Sequence, residues 1–164
     1  MRPSIENAEA AKALADNQDV ASVLERKGRA VFFIHRTATV YDAVALMAQA
    51  QVGSLLVMDD GRLEGIVSER DYARKVILQG KSSRSTLVEE IMSRPVITVQ
   101  SSTSVKDCLQ IITDQRIRHL PVVDPDSGAV EGVVSVGDLV RTLVQSQAET
   151  VEQLTNYIKG KYPG

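Results

Sequence analysis

Gly65-Ile66-Val67-Ser68-Glu69-Arg70-Asp71 recurs as Gly132-Val133-Val134-Ser135-Val136-Gly137-Asp138. Four of the seven positions are identical: the Gly, the Val before the Ser, the Ser and the Asp. Shared residues at one spacing, each set closing a hydrophobic run, indicate a duplicated supersecondary unit. The duplication extends upstream. Thr39-Val40-Tyr41-Asp42-Ala43-Val44 matches Ser104-Val105-Lys106-Asp107-Cys108-Leu109 at an offset of 65, whereas the Gly-to-Asp motif repeats at 67. The extra two residues fall where Asp59-Asp60-Gly61 becomes Asp124-Pro125-Asp126-Ser127-Gly128. Turns accept insertions that strands do not, so the place of the mismatch supports the alignment.

Working outward, Val40, Ala43, Val44 and Met47 lie at i, i+3, i+4 and i+7, which predicts one apolar stripe on a helix over Thr39 to Ala50. Thr39 with Asp42, and Ser104 with Asp107, read as capping pairs. The second copy repeats the stripe with Val105, Cys108, Leu109 and Ile112. Two strands follow each helix: Ser54 to Met58 and Leu63 to Ser68, then His119 to Val123 and Val130 to Ser135. Asp60-Gly61 is a hairpin signal, and runs such as Leu55-Leu56-Val57-Met58 suit strands buried on both faces. A strand over Ala30 to Ile34 opens the unit, and a second helix begins near Glu69 and near Val136. Leu87 to Met92 reads as a short helix.

The expected fold is mixed α/β (α+β): two β-α-β-β-α repeats packed with pseudo-twofold symmetry. The expected division is an arm at 1–19 before a short helix from Val20 to Arg26, a first repeat at 20–80, a linker and second repeat at 81–145, and a tail at 146–164. Gly80 to Thr86 is the polar connector. Glu149 to Ile158 is weakly amphipathic.

Composition narrows the function. The chain has 164 residues, 43% of them hydrophobic and 4% aromatic with no Trp, so its core is aliphatic. A net charge of −2 argues against nucleic-acid binding. One cysteine, Cys108, excludes an internal disulfide, and with only His35 and His119 beside it a structural zinc site is not expected. No run approaches the roughly 20 apolar residues that span a bilayer. Met1-Arg2-Pro3-Ser4 leads into Glu, Asn and Lys rather than an apolar signal core, so a cytoplasmic protein is expected. No nucleophile elbow surrounds Ser68 or Ser135, and Gly80-Lys81-Ser82 lacks the upstream glycine of a phosphate loop. The chain is therefore not expected to be an enzyme, to carry a catalytic cofactor or to hold a metal.

Ile91-Met92-Ser93-Arg94-Pro95, Arg118-His119-Leu120-Pro121-Val122-Val123-Asp124 and the paired Gly-x-x-Ser-x-x-Asp segments together resemble a tandem pair of cystathionine-β-synthase (CBS) domains, a Bateman module. Ser68 to Lys75 is similar to stand-alone CBS pairs of bacteria and plant organelles. The resemblance implies an adenosine-containing ligand (AMP, ADP, ATP, NAD or S-adenosylmethionine) in clefts between the repeats. It also implies a homodimer and signalling to a regulated partner protein.

Each candidate residue also has a plainer role. Ser68 with Asp71, and Ser135 with Asp138, form helix caps. The resemblance makes both aspartates ribose-binding carboxylates, and one residue can serve both ends. Arg70 is either a solvated helix-start residue or a phosphate ligand, because guanidinium suits phosphate oxygens. Arg74 and Lys75 add charge beside it. The resemblance sends Arg118 and His119 to ligand phosphates, in a cleft holding Asp138 and faced by Lys27, Phe32 and Val52. The other cleft is expected to hold Asp71 and Arg70, faced by Ile97. Ile97, Val133, Val52 and Ile66 are candidate adenine walls, or ordinary core. An interaction and dimerisation module with vestigial clefts is the alternative function.

Overall fold

Asp19 starts the first helix, α1 (Val20–Lys27), by accepting from the Ser22 N–H at 3.0 Å. The computed structural model describes residues 18–161; almost all of the expected N-terminal arm, and residues 162–164, lie outside the described residues. Val20, Val23 and Leu24 make one face of α1 apolar, and all three are buried. That face does not pack on the repeat that follows it in sequence. It joins a core with Val105, Cys108, Leu120 and Leu139, all from the second copy.

The first copy contains β1 (Phe33–His35), α2 (Val40–Ala50), β2 (Ser54–Asp59) and β3 (Arg62–Ser68). Thr39 caps α2 through the Asp42 N–H at 3.1 Å, as the sequence predicts. The strands form a sheet ordered β1-β2-β3, with β1 parallel and β3 antiparallel to β2. The opening strand is shorter and later than expected. Ala30 and Val31 stay outside the ladder, and only Phe33, Ile34 and His35 pair with Leu56, Val57 and Met58. After β3 come α3 (Glu69–Tyr72) and a π-helical turn, Ala73–Ile77, with Leu78 N–H bonded to Ala73 C=O at 3.1 Å. One continuous α-helix is thus replaced by a widened turn carrying Arg74 and Lys75.

The short helix α4 (Val88–Ile91) and Met92 complete the first copy's core with Val40, Met47, Val57 and Val67. The second copy then gives α5 (Val105–Gln115), β4 (His119–Val123), β5 (Val130–Ser135) and α6 (Val136–Lys161). Its counterpart of β1 is reduced to a single parallel bridge, Val99 to Val122. The sequence sets residues 146–164 apart as a tail, and α6, 26 residues and about 39 Å long at the α-helical rise, runs on into it unbroken. Leu139, Thr142 and Ser146 line its buried face. Arg26 of α1 ties it down through Gln145 at 3.0 Å and Glu149 at 3.4 Å.

Both motif glycines sit under these exchanged helices. A Cβ on Gly65 would meet Met92 Sδ at 2.7 Å and the Ser93 carbonyl at 3.1 Å; one on Gly132 would meet Leu24 Cδ2 at 2.7 Å. The repeated Gly therefore marks where an incoming segment crosses the hairpin: the Met92 side chain and the Ser93 backbone pack over Gly65, and the Leu24 side chain packs over Gly132. Cys108 is fully buried, and burial, with Asp107 beside it, pushes its thiol up to about 11. It packs as a small hydrophobe, as its position on the stripe predicts.

Candidate functional site

Each β-strand that ends a hairpin delivers a serine to the start of the next helix. Ser68 Oγ accepts from the Asp71 N–H at 3.2 Å, and Asp71 Oδ2 accepts from the Ser68 N–H at 3.0 Å and its hydroxyl at 3.1 Å. The same reciprocal cap recurs at Ser135 and Asp138, at 3.2 and 2.9 Å. The capping role is therefore real at both sites. Each capping carboxylate takes further partners, and the two repeats differ in which. Asp71 Oδ1 meets Lys75 Nζ at 3.0 Å. Asp138 is gripped twice, by Lys27 Nζ on Oδ2 at 2.6 Å and Arg141 Nη2 on Oδ1 at 2.7 Å. Only 8% of the Asp138 side chain is exposed.

Two clefts open where these caps meet the opposite repeat. The wider, of about 670 Å³, is lined by Asp71, Arg70 and Ile97, which the sequence reading puts together, and also by Ser68 and Ile66. The narrower, of about 380 Å³, is lined by Lys27, Phe32, Val52, Val133, Ser135 and Asp138. Arg118 departs from its expected place. It lines the wider cleft beside Arg70, not the Asp138 cleft. Arg118 and His119 are neighbours entering β4, so their side chains diverge. His119 lines both clefts and so does Gly53; together they form the septum. A larger hollow of about 760 Å³ lies between the hairpin ends near Gly61, Arg94 and Ser127, and it contains none of the expected residues.

Sequence reasoning missed Gln51 and Arg116. Both are helix C-caps in the left-handed region, with φ of 56° and 54°, and they line the narrow and the wide cleft respectively. Their alignment after the matched helices was legible; their backbone conformation was not. Arg141 stands three residues beyond Asp138, and helical spacing could have paired them.

The septum is pH-sensitive. Burial opposes the charge on Asp138, but the Lys27 hydrogen bond, the Ser135 N–H and the Lys27 charge outweigh it, and the carboxyl is held below its ordinary value. Burial first, then Lys27 and Arg118 against an opposing Asp138, hold His119 below its ordinary 6.5. Both groups bind protons more weakly in the folded chain than in the unfolded one, so acid destabilises the fold. For His119 the loss begins as pH falls below 6.5 and ends at its lowered folded value. For Asp138 stability is present above 3.8 and is lost as pH falls through the lower folded value. The urea midpoint is expected to drop as pH falls below 6.5. His119→Gln should flatten that limb; an equally steep limb in the variant would assign it elsewhere.

Among the described residues no three His, Cys, Asp or Glu side chains gather as a metal site, and no helix is long and apolar enough to cross a membrane.

Comparison with known proteins bears on the repeat and its fold. The family model described as CBS domain matches residues 20–77 and 88–145. The CBS domain-containing protein CBSX3, mitochondrial, of Arabidopsis thaliana is 42% identical over 156 residues, covering 90% of this chain and 75% of that protein. The solved CBS-domain protein of Burkholderia ambifaria MC40-6 is 45% identical with a TM-score of 0.75, covering 79% of this chain and 96% of that one. The CBS domain pair of protein MJ0100, solved with 5′-methylthioadenosine and S-adenosyl-L-methionine, is 27% identical with a TM-score of 0.69. That match covers 78% of this chain and 97% of that one.

Proposed function

The chain belongs to the CBS-domain family as a tandem pair, and from that premise we propose that it is a regulatory, non-catalytic sensor of adenine nucleotides. AMP, ADP or ATP, or NAD, is the ligand class, and the clefts between the repeats are the seat. One observation carries the reading: each cleft pairs a capped Ser–Asp from one repeat with a wall from the other. A ligand bound across that seam has different contacts when the repeats shift, and differential affinity is what lets a ligand bias two states. Asp71 and Asp138 accept the ribose hydroxyls, and Ile66, Ile97, Val52 and Val133 flank the base. The clefts are unequal, because a ribose at Asp138 displaces Lys27 or Arg141 and one at Asp71 displaces only Lys75.

The pair acts as a homodimer that passes the change to a partner protein. Ile77, Leu78, Val140 and Val144 support this, since all are exposed on the closing helices of the two repeats: Leu78 at 79% and Val144 at 59%. Apolar surface of that kind favours a second copy.

Thermal denaturation of the whole chain tests the reading. Ligand at about a hundred times its Kd adds roughly 2.7 kcal/mol, which raises the midpoint of a chain this size by about 5 to 10 °C. A rise is expected with an adenine nucleotide. No rise with AMP, ADP, ATP, NAD or S-adenosylmethionine would leave an interaction and dimerisation module with vestigial clefts as the function.

A further inference from the structure

The wider cleft holds more positive charge than a capped helix or a ribose needs. Arg70, Arg74, Lys75, Arg116 and Arg118 line it, against Glu69 and Asp71. That is five cations and two carboxylates in one hollow of a chain whose net charge is −2. Lys75 is accounted for by Asp71. None of the four arginines stands in an ion pair among the described residues. Like charges gathered in a cleft repel, and the arrangement is relieved by an anion that contacts them together.

The arginines come from both repeats. Arg70 and Arg74 ride on α3 and the π-helical turn after β3; Arg116 and Arg118 lie between α5 and β4. At the positions matching Arg116 and Arg118 the first repeat has Gln51 and Gly53, both neutral. The excess is therefore local to one cleft and is not a product of the duplication. Arg116 is the telling residue. It closes α5 in the left-handed region at φ 54°, where a side chain is strained and Gly is the usual occupant. Gln51 holds the matching cap of the first repeat at φ 56°, so the left-handed turn belongs to the repeated unit, while the charge on it belongs to the second copy alone.

We propose that the wide cleft is built for a chain of phosphoryl groups, so that it favours a nucleoside triphosphate over a monophosphate, and that Arg116 sets this preference. One terminal phosphoryl offers three oxygens, whereas each guanidinium offers five N–H donors. A polyphosphate presents enough oxygens for arginines of both repeats and ties the two halves of the pair together. The nucleoside part of this inference rests on the adenine-nucleotide reading above; the polyphosphate part does not.

Calorimetric titration of the full chain with adenosine, AMP, ATP and inorganic tripolyphosphate tests it, with Arg116→Gly as the variant. ATP is expected to bind about tenfold or more tighter than AMP, the size of one charge-assisted contact. Arg116→Gly should lose about tenfold for ATP and tripolyphosphate, and more for these than for adenosine. Its melting temperature should hold or rise, because Gly relieves the strained cap, so a loss of binding cannot be laid to misfolding. Added salt should weaken ATP more than adenosine. Equal affinity for AMP and ATP, or an ATP affinity indifferent to Arg116→Gly, overturns the inference and leaves the nucleotide reading standing. Arg116-dependent binding of tripolyphosphate without any of adenosine or AMP does the reverse. If none of the four ligands binds, both fall.

Discussion

Leu24→Ala is expected to destabilise the protein by about 3 to 5 kcal/mol, a large share of the roughly 5 to 15 kcal/mol that holds a domain together. Leu24 is 1% exposed, and its δ-carbons lie against Gly132, where the backbone leaves no Cβ to fill the gap. Truncation removes apolar contact on both sides of that crossing and leaves a cavity the rigid hairpin cannot close. A fall in melting temperature of about 6 °C or more follows for a chain of this length. The location of the damage is the sharper test. Leu24 precedes the first repeat in sequence but belongs to the second repeat's core, with Leu120 and Val134. Hydrogen exchange should accelerate at Leu120 and Val134 before it does at Leu55 and Val67. Early loss at Leu55 and Val67 instead would mean that α1 serves the core nearest to it in sequence.

Asp71→Asn is expected to weaken adenosine and its nucleotides at the wide cleft by about 30- to 100-fold, since hydrogen bonds to a charged group contribute about 1.5 to 3 kcal/mol each. Asparagine is chosen because its amide oxygen can still accept from the Ser68 N–H and hydroxyl, so the cap survives. The ion pair with Lys75 is lost, but Lys75 is 40% exposed and also donates to the Ile91 carbonyl at 2.8 Å, which keeps it solvated and anchored. A small change in melting temperature should therefore accompany a large change in affinity. The narrow cleft, with its own Asp138, should respond little. An affinity that survives in both clefts would reduce Asp71 to its capping role.

The residues that made the duplication visible are those with local jobs. Thr39, Ser104, Ser68 and Ser135 cap helices within three residues of themselves, so their geometry was written in short spacings. The apolar runs and the turn signals between them placed β2 to β5 within a residue of their observed bounds. Where the reading went astray, the deciding partner was distant. β1 begins at Phe33, where Leu56 to Met58 offer a ladder, and the apolar run starting at Ala30 carried no mark of that. Residues 146–164 read as a separate tail, whereas α6 continues through that boundary and meets Arg26 at Glu149, across 123 residues of chain. Arg118 was assigned to the wrong cleft because nothing local tells which of two neighbours in a strand faces which hollow.

By itself the sequence determined two copies of one unit, their helices and hairpins, the caps that start each closing helix, and the family. Periodicity and capping act over three to seven residues, and the chain records them directly. Only the tertiary structure decided that each copy is completed by a helix drawn from elsewhere in the chain, that Asp138 is clamped by Lys27 and Arg141, and that four arginines converge on one hollow. Those outcomes depend on which surfaces meet after folding. Close approach at Gly65 and Gly132, and a left-handed turn at Arg116, bring together residues that sequence distance keeps apart.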